Sequence, residues 1–217
     1  TSNLYVTGES EFTGTVIADV LITGGDSGEL AGGNFAGNLT GAVVLAEAGD
    51  GTATLTLSGS AANTLTGVVS TTEAKGALIV SNTAGSTFTA GIGEHNAKLL
   101  TATVGASSVA VFNGAVAANT LTITGTATML AAVNESEIFA MGEDAILHID
   151  NTVTDGLVFI SEVAVTRPTL TSGAKIYMPE NLSNGQTIIL FDEEASNALA
   201  DAADTITETN DAIQDNA

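Results

Sequence analysis

The sequence predicts an all-β fold, a right-handed parallel β-helix in which coils of about 23 residues stack into a rod. Three observations lead there. First, a Phe or Leu followed closely by Gly recurs at a near-constant interval: Phe12 and Phe35 lie 23 residues apart, Leu65 and Phe88 lie 23 apart, and Phe88 and Phe112 lie 24 apart. Self-similarity at that period is the mark of a solenoid. Second, runs of four to six β-branched or aliphatic residues sit between glycines, too short for amphipathic helices. Third, apolar residues make up 44% of the 217-residue chain but aromatic ones only 4%, with no Trp. The core must therefore be narrow and filled by Val, Leu, Ile, Ala and Thr. A string of β-sandwich domains competes, but it would need hairpin turns at regular intervals, and Asn-Gly occurs only at Asn113-Gly114 and Asn184-Gly185.

The elements follow in order. Leu4 to Thr7, Phe12 to Val16 and Val20 to Thr23 read as short strands punctuated by Gly8, Gly14 and Gly24-Gly25. Phe35 to Leu39, Ala42 to Leu45 and Thr52 to Leu57 repeat the device, and the last alternates strictly, with Thr outward and Ala or Leu inward. The interval from Phe35 to Leu65 is off period at 30, and the Thr52 to Leu57 strand is read as the added length, an insertion near Asp50 to Ala62. The hexapeptide Ala61-Ala-Asn-Thr-Leu-Thr66 recurs as Ala117-Ala-Asn-Thr-Leu-Thr122, which suggests a duplicated structural unit. Its Asn is expected at a corner, in a left-handed conformation or an amide ladder.

Residues 1–126 thus read as regular coils. From Ala127 to residue 192 the rhythm loosens into less regular coils or a cap, with strands at Glu137 to Met141, Ala145 to Ile149, Leu157 to Val165, Lys175 to Met178 and Thr187 to Phe191. Residues 193–217 read as an acidic helix or linker: Asp192 to Ala217 holds eight acidic residues and no basic one, with a thin stripe of Ala195, Leu199, Ala203 and Ile206.

Four basic residues (Lys75, Lys98, Arg167, Lys175) face 25 acidic ones, a formal charge of -21. That field repels phosphate backbones and anionic lipid, so neither nucleic acid nor a membrane surface is an expected partner, and cations are. With no Cys there is no disulfide framework. No run reaches the roughly 18 apolar residues that span a bilayer, so membrane insertion by this chain is not expected. No signal sequence precedes Thr1, so the chain reads as processed or as part of a longer one.

The best chemical candidates are acidic glycine-rich turns: Asp26 and Glu29 in Gly24 to Glu29, Asp50 in Ala48 to Gly51, and Glu143 and Asp144 in Gly142 to Asp144. Carboxylates on tight turns suit Ca²⁺, which takes about six to eight oxygen ligands. Solvated turn carboxylates are the plainer alternative. His95 and His148 lack a His partner at metal spacing and read as surface or strand histidines. Catalysis is not expected. A uronate lyase would need clustered Arg or Lys, a hydrolase paired carboxylates with basic support, and neither constellation can be assembled; Asp150-Asn151 and Asp155 form no recognisable set.

Thr52 to Gly59, the repeated Ala-Ala-Asn-Thr-Leu-Thr, Val109 to Gly114 and Asn184 to Phe191 resemble the passenger repeats of bacterial autotransporters, most of all the large S-layer-forming type. The resemblance covers roughly Phe35 to Asp192 and rests on composition and period; the translocating barrel of that family is absent. It implies a β-helix exported to the cell exterior as a surface coat or adhesin, a homo-oligomer or polymer with Ca²⁺ often holding the lattice, and it transfers no catalytic residue. An adhesin would instead bind a glycan or host protein through outer loops such as Asp50 to Ala62. Leu4 to Gly14 also resembles phage tail-fibre shafts, a lesser alternative, and ice binding by Thr ladders is more remote because the Thr-Ala-Thr phrases are not sustained.

Overall fold

A strand such as Thr52–Leu57 has an apolar face to bury and two rows of backbone polar groups to pair, and a lone coil can do neither. Neighbouring coils meet both needs. The computed structural model describes residues 2–25, 30–47, 51–72, 75–131, 134–153, 156–161, 169–179 and 188–193. The first coil holds β1 (Asn3–Val6), β2 (Glu9–Phe12) and β3 (Val16–Ile17). The second holds β4 (Asp19–Gly24), β5 (Leu30–Phe35) and β6 (Leu39–Thr40), and the third β7 (Val43–Glu47), β8 (Thr52–Leu57) and β9 (Asn63–Leu65). The fourth holds β10 (Val69–Thr71), β11 (Ala77–Val80) and β12 (Ser86–Phe88). Two strands per coil follow: β13 (Leu99–Val104) and β14 (Val109–Phe112), β15 (Ala117–Ile123) and β16 (Thr126–Met129), β17 (Asn134–Met141) and β18 (Ile146–Ile149). β19 (Gly156–Ser161), β20 (Thr169–Leu170), β21 (Lys175–Tyr177) and β22 (Ile188–Glu193) complete the set.

These strands stack into three sheets. Sheet I is β1-β4-β7-β10; sheet II runs from β2 through β5, β8, β11, β13, β15, β17 and β19 to β22, with β20 also on β17; sheet III runs from β3 to β21. All the strand pairs are parallel, which excludes the sandwich. No helix occurs among the described residues. Nine levels of sheet II at about 4.8 Å each make a stack on the order of 40 Å deep.

The step along the chain between stacked residues measures the coil. From the second coil to the fifth it stays close to the sequence period: Val20 on Val43, Thr54 on Ala77, Ser86 on Ala110. It then shortens, with Val109 on Thr126 and Ala117 on Glu135, and lengthens again with Ile146 on Lys175. The shortening has a simple cause. Sheet I stops: after β10 its column continues only as single bridges from Val69 to Ile92 and from Ile92 to Val116. Val116 N–H then donates to the Asn134 side-chain oxygen at 2.9 Å, so an amide closes the ladder where a strand would have been. The change of section thus falls near residues 113–117, and sheets II and III cross position 126 without a break.

Two columns run through the core, and in the first coils sheet I adds Val20, Ile22, Val43, Leu45 and Val69. Phe35, Leu57, Val80, Val104, Ile123 and Met141 line sheet II, and Leu39, Leu65, Phe88, Phe112, Met129 and Ile149 line sheet III, all nearly or fully buried. Within these stacks Phe12 lies on Phe35 at 4.7 Å between ring centroids and Phe88 on Phe112 at 4.9 Å. Such pairs add about 0.5–1.5 kcal/mol each beyond burial.

Several sequence expectations are corrected here. Phe12 to Val16 and Phe35 to Leu39 are corners, each Phe ending a strand of sheet II and the following Val or Leu starting one of sheet III. The 30-residue interval from Phe35 to Leu65 is no coil at all. Phe35 is stacked on Leu57 in sheet II, and Leu65 on Leu39 in sheet III. Thr52–Leu57 is therefore a regular rung, and the extra residues lie in the corner that follows it. The two copies of the hexapeptide are not equivalent either: Leu65 stacks beneath Phe88 in sheet III, whereas Leu121 stacks between Ala102 and Phe139 in sheet II. Neither Asn63 nor Asn119 has a positive φ, and Asn63 makes no amide ladder. Its Nδ2 donates to the Ser58 and Phe35 carbonyls at 3.0 and 3.3 Å, and its Oδ1 accepts from Ser86 Oγ at 2.6 Å. Finally, Asp192 and Glu193 belong to β22, paired with Ile160 and Ser161. Residues 194–217 lie outside the described residues.

Corner glycines give a sharp test. A Cβ on Gly67 would land on the Gly41 carbonyl of the coil beneath, whereas one on Gly14 meets open space. Gly67→Ala is expected to cost about 1–3 kcal/mol, the usual penalty of overpacking, and Gly14→Ala far less. Urea unfolding with a shared m-value measures the difference.

Candidate functional site

Charge is distributed unevenly along the stack. Between Gly51 and Asn134 the charged residues are Glu73, Lys75, Glu94 and Lys98, so the excess acidity sits in the first coils and beyond Asn134. The middle of the solenoid is close to neutral, and its most polar feature is one ionic cluster.

That cluster forms where sheet I ends. With no strand to build there, the chain turns at Gly93, whose φ is 68°, and folds Glu94 back on Ala97 through paired backbone bonds of 3.2 and 2.9 Å. The turn carries His95 and leads into Lys98, which is 5% exposed. Two levels further on, Glu135 and Glu137 project from the start of β17. They lie two residues apart and so share a strand face. Glu135 Oε1 is 3.0 Å from His95 Nδ1; Lys98 Nζ is 3.5 Å from Glu135 Oε2 and 3.7 Å from Glu137 Oε1. Glu135 Oε2 is buried without a hydrogen-bond donor among the described residues, so its contact with Lys98 is ionic. This arrangement fastens the Gly93–Ala97 turn to the strand two coils away, across β15.

The sequence reading did not find this cluster. Lys98 and Glu135 are 37 residues apart, a distance that matches no period, because the coils between them change length. Two local signals were present: a Lys followed directly by Leu99-Leu100, and a Glu-Ser-Glu phrase at residues 135–137 with both carboxylates on one face.

The proposed cation ligands fare differently. Asp26, Glu29 and Asp50 lie outside the described residues. Glu143 and Asp144 occupy the exposed turn between β17 and β18, closed by Ala145 N–H to Gly142 O at 3.3 Å. Asp144 is left-handed, with φ 55°. This turn belongs to a series at the same corner, with like closures at Gly105–Ser108 and Thr171–Ala174. Its neighbours in the series contribute no carboxylate, and among the described residues no group of three or more metal-binding side chains forms. His148 lies in β18 on the outer face of sheet III and stacks on Tyr177 at 4.7 Å. Asp150 turns back to accept the Thr152 N–H at 2.9 Å. No helix among the described residues is long and apolar enough to cross a membrane.

Taken together, the described residues define a class: an all-β solenoid of stacked parallel sheets with an apolar core, neutral flanks at mid-height and acidic ends. Comparison with family models, with characterised proteins and with solved structures finds no match to this chain.

Removing one member of the ionic cluster strands the other. Lys98→Ala or Glu135→Ala is expected to destabilise by about 2–4 kcal/mol, whereas Lys98→Met with Glu135→Leu together recovers most of the loss. A double-mutant cycle of denaturant midpoints reads the coupling.

Proposed function

We propose that this is a non-catalytic structural protein of the bacterial cell surface, a right-handed β-helix that assembles with copies of itself into a coat of the S-layer kind. One observation carries the reading: two sheets run through every coil from the first to the seventh over an unbroken buried core, which makes a stiff body rather than a vessel for a pocket. Right-handed winding follows the near-universal hand of parallel strand connections. The likeness of the repeats to autotransporter passengers agrees with export and surface display.

The cation part of the proposal rests on topology. The connections from sheet I to sheet II on consecutive coils contain Asp26 and Glu29, then Asp50, then Glu73, then Glu94. Carboxylates that recur in successive connections, outnumbering the basic residues there, call for counter-ions, and Ca²⁺ suits flexible, oxygen-only ligand sets. Sedimentation and negative-stain imaging with Ca²⁺ and then with a chelator test both parts. Ca²⁺ is expected to promote sheets or filaments and raise the melting temperature, and the chelator to reverse both. Indifference to chelation would remove the cation, and isolated monomers under all conditions would remove the coat.

A second reading, an adhesin for a glycan or protein, draws on the Gly93–Ala97 turn, which stands outside the regular rungs with His95 half exposed. That turn replaces the Asp50 to Ala62 segment as the place to test, since Thr52–Leu57 is a core strand. Exchanging residues 94–96 for Gly-Ser-Gly would abolish attachment without changing the far-UV spectrum if this reading holds.

A further inference from the structure

We infer that the outer face of sheet II, from β8 to β17, is the surface through which two copies of this chain pack side by side. The inference rests on the self-assembling reading and names the face. The register places Thr56, Ile79, Thr103 and Thr122 in a single outward row. Ile79, Leu100 and Ile138 on the same side of the sheet are 38%, 42% and 45% exposed. On this face Thr methyls and aliphatic side chains lie side by side on parallel strands in register.

Charge decides the occupant. For a chain of net charge -21, most lateral approaches between copies are repulsive. The outward positions of β8, β11, β13 and β15 carry no charged side chain, and the two carboxylates of β17, Glu135 and Glu137, are engaged by Lys98 and His95, so here a like-charged copy meets little of its own field. Sheet III is neutral over the same coils, but its strands there, β9, β12, β14 and β16, are only three or four residues long and expose no large apolar side chain. A neutral glycan would call for aromatic platforms, and the outward row has none. An ice-binding face would need the Thr row unbroken, and Ile79 interrupts it.

Five strands about 4.8 Å apart and about 20 Å long cover roughly 500 Å² per partner. That is below the roughly 800 Å² per partner of a standard stable interface. A single contact is therefore weak, and strength comes from repetition in an array. Isologous two-fold packing would place the row against itself.

The test is sedimentation velocity of the whole chain in Ca²⁺ over a concentration series reaching the millimolar range. Ile79→Glu with Thr103→Glu puts two carboxylates in the middle of the face, and Thr87→Glu on sheet III serves as control, with far-UV spectra to show that all three fold. Self-association at least about tenfold weaker in the double variant, unchanged in the control, is the expected result. Association persisting in the double variant would overturn the choice of face and leave self-assembly standing. A wild-type chain that stays monomeric throughout would overturn both. Thermal hysteresis, or retention on a neutral polysaccharide, by a monomeric wild type and lost in the double variant would assign the face to ice or to glycan instead.

Discussion

Registry between coils is the constraint on which everything else depends. Each rung must lie over the last so that backbone N–H meets C=O and, on the inner side, an aliphatic group meets another of similar size. The backbone bonds Ala36 to Phe12, Ser58 to Phe35, Ser81 to Leu57 and Gly105 to Val80 show the same contact remade level after level at one corner. No rung satisfies its own polar groups or buries its own face, so stability belongs to neighbours in the stack rather than to any segment. At Gly41, Gly67 and Gly114 the corner is then forced to be small, because a Cβ there would meet the backbone of the coil beneath.

The same constraint explains where polar residues are allowed inside. Asn63 is tolerated because Ser58, Ser86 and the Phe35 carbonyl occupy its bonding positions. Asn134 stands where sheet I has run out and closes its last bridge. Lys98 is buried at the same place because two carboxylates, Glu135 and Glu137, converge on it, and Glu135 is held in turn by His95. Asn134 and Lys98 gather at the change of section, where the apolar repeat no longer specifies the fold, whereas Asn63 fills a widened corner within the regular coils.

Charge follows the architecture as well. Acidic residues are held to the ends and corner connections, while the broad sheets at mid-height present hydroxyls and methyls. On the proposed reading, the acidic ends repel neighbouring copies and the neutral side of sheet II is the one that a second copy approaches. That division suits the repeating building block proposed above.

Much of the fold was legible in the sequence. The 23- and 24-residue spacings of Phe12 and Phe35, Leu65 and Phe88, and Phe88 and Phe112 are literal stacks, because a period survives translation along an axis. Alternation in Thr52–Leu57 fixed that strand and its inward face. The sequence could not say which sheet a residue joins. Phe35 and Leu65 look alike in the chain yet sit on opposite columns, and two identical hexapeptides occupy different sheets, since local residues are compatible with either wall. Of the candidate ligands, Glu143 and Asp144 were legible as a turn, but nothing local tells which side chains a neighbouring turn will bring to them. Nor could the sequence join Lys98 to Glu135. Composition and period alone determined the parallel stacking; the end of sheet I, the change in coil length and the ionic cluster were decided only in three dimensions, because each depends on which coil happens to lie above.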